Sequence, residues 1–327
     1  MIVSYDTIMQ PPYSITPEII SLISSISEKL GAINATHLHA PRTELRRSNR
    51  IKTIHSSLGI EGNTLSMDQV TAIIENKRVI APQKDILEVK NAIKVYDVLP
   101  ELKAASLSSF LKAHSILMKG LVRTPGKFRL EGGGIVKGAK LAHLAPKASM
   151  VKALMNNLFS YLKNSKDSLL IKSCVFHYEL EFIHPFEDGN GRMGRLWQSV
   201  ILQELNPVFS FLPVESIIKQ QQSKYYKALE KSNKAGNSTV FIEFMLGAIN
   251  ESLFEQLEER RLPMTAEERI SIFREQIGKK EFSRKDYLDY FKDISAPTAS
   301  RDLKAAVEIK TLKKKGDKRM TTYLFSK

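Results

Sequence analysis

Cysteine is almost absent. Of 327 residues only Cys174 carries a thiol, so no disulfide can form within the chain. The fold therefore cannot rest on the covalent staples that small secreted domains use. Cys174 lies in an apolar run and reads as a small buried hydrophobe. Long apolar runs are lacking too. No stretch of about 18 uninterrupted apolar residues occurs, which excludes a transmembrane helix and a membrane partner. The first residues, MIVSYDTIMQPPYSITPE, have no basic start leading into an apolar run, so they are not expected to be a signal peptide. The expected location is cytoplasmic. Acidic residues are in deficit: 35 Asp/Glu face 49 Lys/Arg, a formal charge of +14. That balance suits polyanionic partners, whether nucleic acid, nucleotide or an acidic protein face. Within the C-terminal region the excess sits at the very end. Residues 301–327 hold nine Lys/Arg and three Asp/Glu, whereas residues 263–300 hold seven of each. What remains is globular composition, 43% hydrophobic and 26% charged, long enough for a sizeable core and a second domain.

The chain carries no repeat or low-complexity tract and reads mostly as helix. In Thr43–Gly62, Ile51, Ile54 and Leu58 follow helical spacing, and Gly59 and Gly62 crowd the end. Asn63-Thr64-Leu65-Ser66 predicts a turn and a fresh cap before a helix over 67–76. Further helices are expected over 89–98, 106–118, 150–161, 169–183, 191–202, 220–232 and 241–260. Between Thr124 and Pro146 the pattern changes. Pro125, Gly126, Gly132, Gly133 and Gly134 break any helix, and Ile135–Leu141 reads as two short strands around a glycine turn. Arg261-Leu262-Pro263 marks a domain boundary. The expected division is an N-terminal extension (1–42), a core (43–262) and a C-terminal module (263–327).

The chemistry concentrates in His184-Pro185-Phe186-Glu187-Asp188-Gly189-Asn190-Gly191-Arg192-Met193-Gly194-Arg195, which joins a helix end to a helix start. Glycines on either side of Asn190 let backbone N–H groups turn toward one point. A helix N-terminus follows directly, and its unpaired amides and dipole favour an anion. Arg192 and Arg195, three apart, offer guanidinium forks suited to phosphate oxygens. Asp188 at the mouth can hold Mg²⁺, which takes oxygen ligands. His184, just before the loop, can accept a proton at neutral pH. Each feature alone has a bland explanation: a turn, a structural histidine, a solvated face. Together, base, metal acid, anion nest and arginines describe phosphoryl or nucleotidyl transfer. No Gly-Lys-Ser/Thr closes the loop, so it is not a P-loop. A second chemical reading takes His177, Glu181 and His184, at i, i+4 and i+7, as zinc ligands. It lacks the His-Glu-x-x-His arrangement, and Pro185 disturbs the helix just past His184.

The string HPFEDGNGRMGR resembles the motif H-x-F-x-(D/E)-G-N-G-R-x-x-R of the Fic (filamentation induced by cAMP) family at every specified position. Gly126-Lys127-Phe128-Arg129 ahead of the hairpin resembles the family as well. The resemblance implies a mainly α fold, a helical bundle with a β-hairpin flap. It implies a protein adenylyltransferase that moves AMP from Mg·ATP to a Ser, Thr or Tyr hydroxyl. His184 would then be the base and Phe186 the anchor of the loop. Asp188 would hold the metal, Gly189, Asn190 and Gly191 would cradle phosphate, and Arg192 and Arg195 would bind the outer phosphates. The flap, about Gly134–Leu144, would pair with an extended segment of the target protein. Upstream, Ser57-Leu58-Gly59-Ile60-Glu61-Gly62 resembles the family's inhibitory motif, (S/T)-x-x-x-E-(G/N). Ser57 and Glu61 share a helix face, and the resemblance implies that Glu61 pairs with Arg195 and competes there with the γ-phosphate.

Residues 264–327 read as helix–helix–helix–hairpin, similar to a small winged helix-turn-helix domain. Arg301 and Lys304 are candidate DNA contacts on its third helix, the recognition helix of such a domain, with Lys313, Lys314, Lys315, Lys318 and Arg319 on the wing. A protein-binding or merely packing module is the competing reading. The alternatives for the core are another Fic-type nucleotidyl or phosphoryl transfer, removal of AMP, or a DNA-binding regulator whose core senses nucleotide. The oligomeric state, a homodimer included, is left open by the sequence.

Overall fold

The computed structural model describes residues 11–35, 43–131, 134–137, 140–261, 265–278, 280–292, 294–317 and 321–326. The fold is mainly helical and divides into two compact units, one built on Glu44–Leu257 together with the N-terminal segment, the other on Glu258–Lys327. The first unit holds α1 (Pro17–Ala35), α2 (Thr43–Ile60), α3 (Met67–Ile74), α4 (Gln83–Asp97), α5 (Leu107–Leu117), α6 (Ala148–Asn164), α7 (Leu169–Ile183), α8 (Asn190–Leu202), α9 (Val214–Gln220), α10 (Gln222–Ala235) and α11 (Thr239–Arg261). Between α5 and α6 lies an antiparallel hairpin of β1 (Gly134–Lys137) and β2 (Lys140–Leu144). Its turn, Gly138-Ala139, and the preceding Gly132-Gly133 lie outside the described residues.

The centre of this unit is α7. Helices with one apolar stripe lie on surfaces, whereas a helix buried all round lies inside. Eleven of its residues are buried, including Cys174, Phe176, Leu180 and Ile183. It packs between α6 and α8. An aromatic cluster of Phe110, Phe159, Phe176, Phe186 and Trp197 fastens α5, α6, α7 and α8 together, with ring centroids such as Phe110–Trp197 at 5.0 Å. Trp197 satisfies its one donor on the Ala104 carbonyl at 3.0 Å.

The structure differs from expectation in instructive places. The segment expected to be an extension carries α1, whose Ile19, Ile26, Leu30 and Ile33 enter the same core. Thr16 caps it through the Ile19 N–H, and Pro17 opens it. The helix expected over 220–232 is α10, which begins only at Gln222 because Gln221 leaves helical geometry at φ −105°, ψ 29° and Gln220 still ends α9. α3 ends at Ile74, and Asn76 then turns left-handed at φ 57°. Its start is a full capping box, with Ser66 and Gln69 bonding each other's backbone N–H.

The second unit contains α12 (Ala266–Ile277), β3 (Phe282–Ser283), α13 (Arg284–Tyr290), α14 (Ala296–Glu308), β4 (Leu312–Lys315) and β5 (Thr322–Phe325). The expected hairpin is present as β4 and β5, and the short β3 joins it in the order β3-β5-β4. Its separate core includes Phe273, Phe282, Tyr287, Leu303 and Phe325. Across it runs a buried fork: Arg269 donates from Nε to Asp302 at 2.6 Å and from an Nη at 2.9 Å, and the Tyr287 hydroxyl adds a bond at 3.2 Å. Lys313, Lys314 and Lys315 are exposed along β4, as are Arg301 and Lys304 on α14. Lys318 and Arg319 lie outside the described residues, as do Leu262 and Pro263 at the expected boundary. Among the described residues no helix is long and apolar enough to cross a membrane.

Candidate active site

The loop between α7 and α8 is built from the inside outward. Phe186 is buried against Phe110 and lies flat on His114, with centroids 3.6 Å apart and planes 6° off parallel. Burial of such a ring contributes about 2–3 kcal/mol. The Asn190 side chain closes the turn by accepting from the Phe186 N–H at 2.9 Å and donating to its carbonyl at 3.1 Å. His114 closes it from the other side. Its Nδ1 accepts from the Gly126 N–H at 2.8 Å, which leaves Nε2 to donate to the Asp188 carbonyl at 3.0 Å. Burial pushes the His114 pKa down to about 4, so the ring stays neutral and keeps this tautomer. Gly189 sits at φ 86°, where an added Cβ would also strike Met118. The loop is thus pinned at Phe186, Asp188 and Asn190, and α8 starts from a fixed point.

His184 stands at the C-terminal end of α7 in a left-handed conformation, φ 50°, ψ 59°, with its N–H on the Leu180 carbonyl. Four residues on, the half-exposed carboxylate of Asp188 takes the Gly189 N–H on one oxygen and Arg192 on the other, the latter at 3.0 Å. Arg192 reaches Glu88 on α4 with its second Nη at 2.9 Å, while its buried Nε meets no hydrogen-bond partner among the described residues. Glu88 in turn accepts from Asn63 at 2.8 Å, which links Arg192 to the turn after α2.

The brake residues expected from the sequence reach the loop. Arg195 is nearly inaccessible. Its Nε donates to the Ser57 hydroxyl at 3.1 Å, and one Nη donates both to the Ser57 carbonyl at 3.0 Å and to Glu61 at 2.7 Å. Its other Nη is buried and meets no hydrogen-bond partner among the described residues. Burial alone works against the Arg195 charge, but Glu61, Tyr225 and Glu181 around it outweigh that and raise its pKa. Glu61 lies against the bare Cα of Gly191, where an added Cβ would run into its Oε1. A carboxylate therefore occupies the anion position at the start of α8. Buried guanidinium donors without partners, beside a carboxylate that stands where a phosphate oxygen fits, suit a polyphosphate ligand.

His177 and Glu181 are not arranged with His184 as a metal set. His177 is buried between Gln198 at 3.0 Å and the Tyr225 hydroxyl at 3.1 Å, and burial lowers its pKa to about 3. Among the described residues no group of three His, Cys, Asp or Glu side chains could hold a metal. Glu181 instead faces Arg195, Glu61 and Tyr225, and burial raises its pKa to about 7. Two contributors to the site have no signal in the sequence, Glu88 and His114, whereas Arg129 is marked only as part of the Gly126–Arg129 resemblance and without a role. Arg301 and Lys304, in the second unit, take no part in this cluster.

A helical core with a hairpin, a histidine closing one helix and an arginine-lined anion nest opening the next define a protein of the Fic/DOC class, whose family model matches residues 104–202. A Fic family protein from Desulfovibrio desulfuricans G20, known as a crystal structure, is 38% identical and superposes with a TM-score of 0.74 over 97% of this chain and 98% of that one. This chain belongs to the Fic family. The protein adenylyltransferase Fic of Drosophila mojavensis is 28% identical over 245 residues, 71% of this chain and 46% of that relative. Its counterpart in Aedes aegypti is 29% identical, over 69% of this chain and 45% of that one. The chain spans about half the length of the curated relatives it matches.

Proposed function

We propose that this protein transfers AMP from Mg·ATP to a hydroxyl side chain of a target protein, and that Glu61 holds the described conformation inactive. The observation that carries this reading is Glu61 on Arg195 at the start of α8: a carboxylate on the arginine and helix terminus that a triphosphate would use. The relatives named protein adenylyltransferase Fic support the choice of reaction.

With Glu61 withdrawn, Arg195 and Arg192 bind the outer phosphates through donors that now lack partners. Asp188 would hold Mg²⁺ at the open mouth, a single carboxylate being a usual protein share of such a site. The ion would neutralise charge on the phosphates. A target hydroxyl then attacks the α-phosphorus, His184 takes its proton, and the bond to pyrophosphate breaks. The protein's contribution is orientation and charge stabilisation. The backbone edges of β1 and β2 dock the target by strand addition, so one site accepts varied side chains.

The test is incubation of wild type and Glu61→Gly with Mg²⁺ and ATP labelled on either the α- or the γ-phosphate, followed by gel autoradiography. The α-label should enter protein about 10- to 100-fold faster in Glu61→Gly, the equivalent of one charge-assisted hydrogen bond. Entry of the γ-label alone would mean phosphoryl transfer. No label, with or without cell extract, would overturn the reading.

The second unit carries a separate proposal, that it is a winged helix-turn-helix domain binding duplex DNA. Arg301 and Lys304 on α14 and the three lysines of β4 support it, all exposed within one small domain. Fluorescence anisotropy with a labelled duplex should show affinity falling steeply with salt, and Arg301→Ala should weaken it. No binding would remove DNA as a partner, and binding that ignores salt and Arg301 would remove these basic residues as its contacts.

A further inference from the structure

We propose that Arg129 is a positioning residue, which holds His184 in its working backbone conformation and ties it to both ends of the hairpin; this rests on the transfer reading above. Buried arginines ordinarily answer a carboxylate. Arg129 is 7% exposed, yet no carboxylate pairs with it among the described residues. Its guanidinium goes to four main-chain carbonyls instead. Nε donates to His184 at 2.7 Å, one Nη to Glu131 at 2.8 Å, and the other to Pro146 at 2.6 Å and Ile183 at 3.3 Å. Its own N–H adds a bond to the Pro185 carbonyl at 2.9 Å. One residue thus takes the carbonyls of 183, 184 and 185 in succession.

Two features give this arrangement a function beyond packing. The first is the backbone of His184. A left-handed conformation at a residue with a Cβ is strained and persists only when its surroundings impose it. The His184 N–H is held within α7 and its C=O by Arg129, so Arg129 is the external restraint on the peptide that aims the imidazole. It also places positive charge where the last carbonyls of α7 are unpaired. The second feature is the position of the other two acceptors. Glu131 precedes β1 and Pro146 follows β2, so the side chain that fixes the base also brackets the hairpin. A target docking on the hairpin therefore loads the same group that sets the base. The anion nest is secured independently, by Asn190, Phe186 and His114. Base placement and nucleotide binding are separable on this account.

The experiment uses Glu61→Gly protein and compares it with Glu61→Gly/Arg129→Ala and Glu61→Gly/Arg129→Lys. Arg129→Ala should lower kcat about 100-fold with KM for ATP unchanged, the effect of an ångström-scale misplacement of the base. Added guanidinium chloride at millimolar concentration should restore part of the rate, and Arg129→Lys should fall between. Unchanged kcat, or a raised KM with kcat retained, would overturn the inference. So would a loss that neither guanidinium nor lysine recovers. A readout that needs no activity is the ring NMR signal of His184, assigned by its absence in His184→Ala. It should move in Arg129→Ala while those of His114 and His177 stay, and a stationary His184 signal would equally overturn the inference. An unlabelled Glu61→Gly parent would sink the transfer reading alone, leaving the NMR result to decide this one.

Discussion

In Glu61→Gly protein, the further change His184→Ala should lower the rate of AMP transfer by about 10²- to 10⁴-fold, the range of a positioned general base. The affinity for ATP should remain. The reason lies in how the loop is assembled. His184 ends α7, whereas every group placed for phosphate follows it, on a turn pinned by Asn190 and by Phe186 stacked on His114. Removing the imidazole leaves those restraints whole. Single-turnover labelling from α-labelled ATP measures the rate, and calorimetric titration with ATP measures the affinity. A rate that survives would place the base elsewhere. Glu181 would then be the next candidate, because burial lifts its pKa to about 7 and it faces the same nest. Loss of ATP affinity would instead make His184 part of the binding surface.

What the sequence disclosed here was local. The run from His184 to Arg195 carries its chemistry in consecutive residues, so helix end, glycine turn and helix start were legible together. Ser57 and Glu61 were legible for the same reason, since their four-residue spacing sets them on one face whatever the tertiary fold. The partners that make these residues a site were not legible. Glu88 meets Arg192 across 104 positions. His114 looked like one more residue on the apolar face of an amphipathic helix, and only the Gly126 N–H and Asp188 carbonyl on either side give its ring a purpose. Arg129 bonds only backbone carbonyls, which have no identity in a sequence. The missed α1 is a different failure. Thr16-Pro17-Glu18 is a capping signal and Ile19, Ile26, Leu30 and Ile33 keep helical spacing, so a signal for this helix is present in the sequence of the N-terminal segment. The break between α9 and α10 at Gln221 has no proline or glycine to announce it.

The second unit offers the other large effect. Asp302→Ala should lower the melting temperature of this unit by about 15–30 °C, or abolish its transition, because breaking a buried pair costs about 3–5 kcal/mol. A domain of this size has a total stability of only about 4–10 kcal/mol. Asp302 is 3% exposed and accepts both arms of Arg269 as well as the Tyr287 hydroxyl. Its loss takes both acceptor oxygens of Asp302 from a buried guanidinium and an acceptor from a buried hydroxyl. Replacing both charges together, Arg269→Met with Asp302→Leu, should recover most of the loss, since breaking a buried pair on one side costs more than exchanging both partners for apolar residues. Differential scanning calorimetry separates the outcomes. A fall of under about 4 °C in Asp302→Ala would mean that water reaches Arg269 and solvates it. A double variant as unstable as the single one would mean that the fork itself sets how α12 and α14 pack. In either case labelling by Glu61→Gly should persist, because every atom of the candidate active site belongs to the first unit. Loss of labelling along with the second transition would show that the two units fold as one.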